Sequence, residues 1–465
     1  MEKYTIAIIG GGPGGYAAAI RLQQYIIDVV VFEKERLGGV CLNWGCIPTK
    51  ALVKVADLFS ELHHVGEFGL SLENPSFDYA KIYERKNQVV EKLVSGLEFL
   101  FKKRQIPVIK ETVKVLEKSG DSYLISTENA SINASYVIIA TGSKPKELPN
   151  FKIDGENILS SKDILKLQEL PKRLSVIGGG VIGCEFASIF AQLGVEVHIV
   201  EFLPRLISTE DEEISKRLAM ALKKAGIKIH LNTAVEGWKK ENNELILTLS
   251  NGKEIITDKV LLSVGRESVF DIECKNFDIE KEKNAISIDN KFETNKKNLF
   301  AIGDVTAKMM LAHTASKQGL LTAEIIKKRI EGQSEDTEEL KYENIPRCTF
   351  TNPEIGSLGL TEAQAREKYG EILVGKFPFS ANGKALGLGQ TFGFVKTIAD
   401  AKSKKLVGMH IIGPQATELI AEGGIIIQSG MTIDEALKSV YAHPTLSEAV
   451  AESIEDLEKM SINSM

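Results

Sequence analysis

Two stretches of this 465-residue chain repeat one plan 168 positions apart, and no other feature limits its fold as tightly. In the first, YTIAIIG (4–10) reads as a buried strand, GGYAAAIRLQQY (14–25) as a helix of small residues and DVVVFEK (28–34) as a second strand. In the second, RLSVIGG (173–179), VIGCEFASIFAQLG (181–194) and VEVHIVE (195–201) follow in the same order. These are two copies of one βαβ unit, and they predict an α/β chain.

Each copy carries G-x-G-x-x-G where strand turns into helix: Gly10, Gly12 and Gly15 in the first, Gly178, Gly180 and Gly183 in the second. Glycines at this spacing permit a tight turn, close backbone approach to a pyrophosphate and close helix–strand packing, while the helix N-terminus offers free N–H groups to phosphate. Each copy then ends its second strand in an acid, Glu33 lying 23 residues after Gly10 and Glu201 lying 23 after Gly178. A carboxylate there accepts hydrogen bonds from ribose hydroxyls, and at the second site it repels a 2′-phosphate. A lone glycine motif also arises for purely structural reasons. Two copies, each followed by the acid, point to two bound dinucleotides and to hydride transfer between them.

The remaining elements fit around these copies. YVIIATGS (136–143) and LFAIGDV (299–305) read as buried strands ending in glycine turns, with Asp304 placed to meet a sugar hydroxyl; VLLSVGR (260–266) is a similar strand ending in Arg266. Because LFAIGDV follows the second copy, the first domain is expected to be interrupted and completed later. Asn251-Gly252 marks a hairpin within residues 241–255. Beyond the polar stretch 331–343, a final unit begins near Pro346, with strand-like FVKTIAD and LVGMHIIG and helical TELIAEGGIIIQSG. The expected division is 1–146, 147–270, 271–343 returning to the first domain, and an α+β domain over 344–465.

Composition bears on what such a chain binds. With 43% hydrophobic and 26% charged residues it is neither disordered nor fibrous, and a net charge of -6 supplies no electrostatic case for nucleic acid or anionic membrane. No run of about 18 apolar residues and no basic leader is found, so no membrane association and a reducing cytoplasm are expected, where a stable structural disulfide is unusual.

Against that expectation stands GGVCLNWGCIPTKAL (38–52), with Cys41 and Cys46 five positions apart. Zinc needs about four ligands, and Cys184, Cys274 and Cys348 are scattered singly, so no metal site is expected. The pair could be two small buried apolar residues, as free cysteines often are. Its setting suggests otherwise: it follows Glu33 and runs into Pro48 and Lys50 at a helix start, and both a helix N-terminus and a cation stabilise thiolate.

GGVCLNWGCIPTK resembles the active-site signature of the flavin-dependent pyridine nucleotide–disulfide oxidoreductases, and CLNWGCIPTKAL is most similar to the branch of that family that oxidises dihydrolipoamide. The similarity runs nearly end to end, through both dinucleotide turns, ATGS, VGR, AIGDV with MLAH (310–313) and HPTLSE (443–448). It implies two Rossmann-like domains, for FAD and for NAD, and a C-terminal α+β dimerisation domain. Cys41 and Cys46 would form the redox disulfide, Cys41 exchanging with substrate and Cys46 contacting the flavin. Lys50 would sit beside the flavin ring and interact with Glu185. Glu33, Val113, Gly142, Asp304 and the backbone at Ala312 would hold FAD, whereas Glu201, Val235, Gly265 and Arg266 would line the NAD site. His443 and Glu448 would be an acid–base pair supplied by the partner subunit of a homodimer, and lipoyl domains of 2-oxo acid dehydrogenase or glycine cleavage complexes would be the macromolecular partners.

Val40, Trp44 and Thr49 stand where relatives often carry other residues, and ESVFD follows VGR in place of the usual proline–asparagine continuation. The absence of any cysteine after Cys348 disfavours the mercuric and large thioredoxin reductases of the same family, and Glu201-Phe202-Leu203 favours NAD over the NADPH of glutathione-type enzymes. A non-catalytic dinucleotide sensor is the rival from another class. It has no use for Cys41, Cys46 or His443.

Overall fold

The computed structural model describes residues 2–242, 244–336 and 339–463. Asn243 of the hairpin stretch, and Thr337 and Glu338 of the polar stretch, lie outside the described residues. The chain divides into two compact units. One holds the amino-terminal segment up to Ala51, Tyr83–Lys146 and Gly265–Tyr342; the other holds Leu52–Ile82, Glu147–Val264 and the segment from Glu343 onward. Residues 52–82 thus cluster with the second unit although their position put them in the first expected domain, and the chain re-enters the first unit at Gly265, earlier than the expected boundary at 271.

The first unit is built on an eight-stranded sheet. Strand β1 (Glu2–Ile9) lies at its centre, parallel to β2 (Val29–Phe32) on one side and to the strand Ser131–Ile139 on the other. Ile6 to Ile9 and Val29 to Phe32 are buried without alternation, as strands covered on both faces must be. Ser131–Ile139 also takes Leu299–Ala301 in parallel register, so a strand from beyond the second glycine turn joins the first unit's sheet. Helix α1 (Pro13–Gln24) begins with proline at its first turn, where no N–H is missed. It lies against the helix Ala312–Ile330 so closely that a Cβ on Gly319 would meet the Gly14 carbonyl oxygen at 2.4 Å. Helices α2 (Gly39–Trp44) and α3 (Cys46–Leu62) carry the cysteine stretch.

The second unit contains a five-stranded parallel sheet in the order Lys228–His230, Glu196–Val200, Arg173–Ile177, Lys259–Leu262, Ile158–Leu159. Helix Val181–Gln192 follows the second glycine turn and is buried along most of its length, in keeping with its apolar sequence. A three-stranded antiparallel meander, Val235–Glu241, Glu244–Leu249 and Glu254–Thr257, contains the hairpin marked by Asn251-Gly252. The carboxy-terminal portion is a five-stranded antiparallel sheet, in the order Arg347–Thr349, Glu354–Gly359, Leu406–Gly413, Phe394–Asp400, Ile372–Pro378. Helices Ala416–Gln428 and Glu448–Glu455 contribute to its core.

VLLSVGR does not form the single strand its apolar run predicts. Strand Lys259–Leu262 ends in the second unit, and a separate strand Arg266–Ser268 pairs with Ser143–Pro145 in the first. Gly265 makes the break possible by taking φ +107°. Among the described residues no helix is long and apolar enough to cross a membrane.

Candidate functional site

The two glycine turns are near duplicates. Gly10 and Gly178 adopt φ +113° and +104°, and Gly12 and Gly180 cap their helices in extended backbone. A Cβ on Gly15 would lie 1.9 Å from the Gly10 oxygen, and one on Gly183 would lie 2.1 Å from the Gly178 oxygen, so the third glycine of each motif is required by packing. The second glycine is different. A Cβ on Gly180 meets nothing within 4 Å and one on Gly12 meets only the Gly39 Cα at 3.9 Å, so neither is required by the protein's own packing. This open cradle at a helix N-terminus fits a pyrophosphate.

The acids are duplicated too. Glu33 accepts the Gly11 N–H at 2.8 Å and the Glu35 N–H at 2.8 Å; Glu201 accepts the Gly179 N–H at 2.5 Å and the Leu203 N–H at 2.7 Å. Both oxygens of each carboxylate are thereby oriented by backbone, with further lone pairs open to ribose hydroxyls. In both copies the strand ends before the acid, which places the carboxylate in the turn beyond it.

Cys41 lies within α2 and Cys46 opens α3, with Gly45 between the two helices. A Cβ at Gly45 would come within 3.0 Å of the Val40 oxygen and 3.4 Å of the Cys41 Cα, so a side chain there would press the two turns apart by a few tenths of an ångström. The loop is fastened to the first dinucleotide turn, because Gly38 donates to the Gly11 oxygen at 2.8 Å. Asn43 Nδ2 ties Leu37 O and Gly39 O, and Thr49 Oγ1 donates to Gly45 O at 2.7 Å. Both cysteines are partly buried. A hydrogen bond with Cys46 pushes the Cys41 thiol far up, burial adds to this, and Lys50, one turn into α3, opposes it. Tyr16 on α1 senses the same pair: burial raises its pKa, and Cys41 and Cys46 raise it further.

A second group forms around Asp304. Ser143 hydroxyl bonds its carboxylate, and the Arg266 guanidinium donates to Ser143 Oγ and O, both at 2.7 Å, while standing 3.9 Å from Asp304. Burial lowers the Arg266 pKa, with Asp304 and Cys46 acting against it. Arg266, expected at the NAD site, therefore directs its side chain into the first unit. Ser268 Oγ donates to the Asp304 carbonyl and Gln318 accepts the Gly303 N–H at 2.6 Å, fixing the backbone on either side. Ser143 ends the ATGS motif, whose spacing carries no signal for its hydroxyl, and Tyr16 and Gln318 belong to no motif.

At the carboxy terminus, His443 Nδ1 is 2.8 Å from Glu448 Oε1. Glu448 opens its helix and accepts the Thr445 N–H at 2.8 Å on its other oxygen; Thr445 is held in turn by Ala442 O and by Asn382 Nδ2. Burial would raise the Glu448 pKa, but the Thr445 N–H and His443 outweigh it and keep the carboxyl below its usual range. The His443 side chain is 79% exposed, so its free Nε2 is presented outward.

The other expected residues belong to both units. Val113 is buried in the first unit's core. Gly142 takes φ +76° and accepts the Val269 N–H, and Ala312 opens its helix. In the second unit Val235 starts the meander opposite Leu249, and buried Glu185 accepts the Phe350 N–H at 2.9 Å.

Comparison with known proteins agrees with this geometry. Residues 4–319 match the model for pyridine nucleotide-disulphide oxidoreductases, and residues 345–454 match the dimerisation domain of the same family. The chain is 40% identical over 457 residues to a dihydrolipoyl dehydrogenase of Bacillus subtilis, covering 97% of this chain and 98% of that protein. It is 37% identical over 461 residues to the dihydrolipoyl dehydrogenase of Zymomonas mobilis, with 97% of each covered. Among solved structures, the HOCl-induced flavoprotein disulfide reductase RclA of Escherichia coli superimposes with TM-score 0.84 at 26% identity, covering 97% of this chain and 99% of that one. LpdA of Mycobacterium tuberculosis superimposes with TM-score 0.88 at 23% identity over 98% of this chain and all of that one, a likeness of fold. With both family models matched in order and relatives aligned over almost their whole length, the chain belongs to the pyridine nucleotide-disulphide oxidoreductases.

Proposed function

We propose that the chain is a dihydrolipoyl dehydrogenase, oxidising protein-bound dihydrolipoamide with NAD⁺. The observation that carries this reading is the pairing of Cys41 with Cys46 on a loop fastened to a dinucleotide turn. Membership of the family brings FAD and NAD, and FAD when bound relays an electron pair between the thiols and NAD⁺. Glu33 and the Gly10–Gly15 turn would hold FAD, and Glu201 and the Gly178–Gly183 turn would hold NAD.

The protein's own groups handle thiols and protons. His443, with its Nδ1–H committed to Glu448, keeps Nε2 free to take the proton of a substrate thiol, and Glu448 stabilises the imidazolium that results. The substrate thiolate then attacks the oxidised pair at Cys41. Exchange forms the substrate disulfide and leaves both cysteines reduced. Overall the substrate loses two electrons and two protons, of which one hydride ends on NAD⁺ and one proton reaches solvent. The exposed His443 supports a role toward a second copy's cysteines, in keeping with the matched dimerisation domain. Lipoyl domains are the proposed macromolecular partners.

The test is steady-state NADH production from free dihydrolipoamide, with NADP⁺ and reduced glutathione as comparators. We expect turnover with dihydrolipoamide and NAD⁺ to dominate. Preference for either comparator would overturn the reading.

A further inference from the structure

Between Glu201 and the helix Glu212–Lys224, the chain forms a strap pressed onto the second glycine turn. Ile207 donates to the Gly179 oxygen at 2.8 Å, and the Leu206 side chain closes on Gly179, where an added Cβ would come within 2.5 Å of Leu206 Cδ2. The strap is bent at Ile207, a β-branched residue held at φ +39° in the left-handed region. Such a conformation persists only where the surroundings impose it.

Ser215 Oγ on the following helix donates to the Leu206 oxygen at 2.6 Å, and the end of the strap is met by the carboxy-terminal sheet of the same unit. Arg347 on strand Arg347–Thr349 binds both oxygens of Glu210, at 2.9 and 3.3 Å. Lys396 on strand Phe394–Asp400, with a side chain only 1% exposed, reaches Asp211 at 3.1 Å, Glu213 at 3.0 Å and Glu362 at 2.7 Å. The Glu362 N–H adds a bond to Asp211 at 3.1 Å. Lys376 takes the other oxygen of Glu213, and Arg366 the other oxygen of Glu362, so three cations balance three carboxylates. Burial alone would lower the Lys396 pKa, yet its carboxylates hold it above the ordinary lysine value. Lys396 and Asp211 are buried, whereas Glu213, Lys376 and Arg366 keep contact with solvent; removing one partner of the buried pair leaves an uncompensated charge. That pair lies at the end of the strap.

We propose that Lys396 and Arg347 are positioning residues for the second dinucleotide site, clamping residues 210–213 from the dimerisation-domain sheet and so holding the Glu201–Asp211 strap on the Gly178–Gly183 turn. They touch no cofactor themselves. Their removal lets the strap relax at Ile207 and shifts Glu201 relative to the turn it serves. The inference rests on the proposed use of NAD by this site.

The experiment measures NADH affinity of the FAD-loaded dimer by calorimetry, alongside KM for NAD⁺ and for dihydrolipoamide, in Lys396→Met, Arg347→Gln and Lys396→Arg. In the first two variants we expect the NADH Kd and the NAD⁺ KM to rise about tenfold. The dihydrolipoamide KM stays at the parent value, and Lys396→Arg recovers much of the loss. Should Lys396→Met fail to fold around its unpaired carboxylates, Arg347→Gln decides the matter. NADH affinity within about twofold of the parent in Arg347→Gln, and in Lys396→Met where it folds, even with lowered thermal stability, would overturn the proposal. Failure of the parent itself to bind NADH would instead overturn the proposed function.

Discussion

Asp57 on α3 illustrates how burial sets the behaviour of one carboxyl. Burial, with Glu354 nearby, pushes its pKa up to about 6, against hydrogen bonds from Asn352 and Gln192 that favour the ionised form. Its folded pKa therefore lies above its unfolded value of 3.8, and the folded state binds the proton more tightly. Stability from this group is present below about pH 4 and is lost as pH rises through about 6, so at neutral pH the ionised carboxylate is a net cost. Asp57→Asn keeps an oxygen to accept from Asn352 and removes the charge. We expect thermal unfolding at about pH 7.5 to show a gain of about 1–2 kcal/mol, allowing for partial solvent access, and scans near pH 4 to show almost none. A gain of equal size at both pH values would mean that charge is not the cause.

At the scale of an element, the glycine turns separate two demands that a motif combines. Gly183 has no room for a side chain because its Cβ would strike the Gly178 oxygen at 2.1 Å and Ser263 Oγ at 2.7 Å; Gly180, at φ −76°, has room and an ordinary backbone. Gly183→Ala is accordingly expected to lower stability by about 2–4 kcal/mol in denaturant titration. Gly180→Ala should unfold within about 0.5 kcal/mol of the parent and yet lose NADH affinity by about tenfold, since its methyl group would occupy the phosphate cradle. Equal stability losses in the two variants would contradict this division. The α2–α3 break follows the same logic, with Gly45 setting how near the two cysteines come.

At the scale of the whole molecule, the proposed mechanism needs two copies, each lending His443 to the other's cysteines. A Cys46→Ser dimer and a His443→Ala dimer are then both inactive. Hybrids of the two contain one site with intact cysteines and an intact histidine. Random mixing yields hybrids as half of the dimers with one working site each, so about a quarter of parent activity should return after subunit exchange, read as NADH formation from dihydrolipoamide. No recovery, with hybrids demonstrated by mass, would place the histidine and the thiols in the same copy.

Much of this molecule is legible in its sequence because local chemistry demands it. The paired G-x-G-x-x-G turns and the acids 23 residues beyond them stand out since the first and third glycines of each turn have no room for a side chain and each acid is bound by the backbone of its turn. The cysteine loop stands out because reactive thiols need a helix start and a cation nearby. Contacts between distant segments leave no such local trace. Arg266 turning toward Ser143 and Asp304, Tyr16 within electrostatic reach of the thiols and Lys396 gripping Asp211 from 185 residues away are settled by packing, where the low dielectric interior makes each buried charge seek whatever partner the fold brings near.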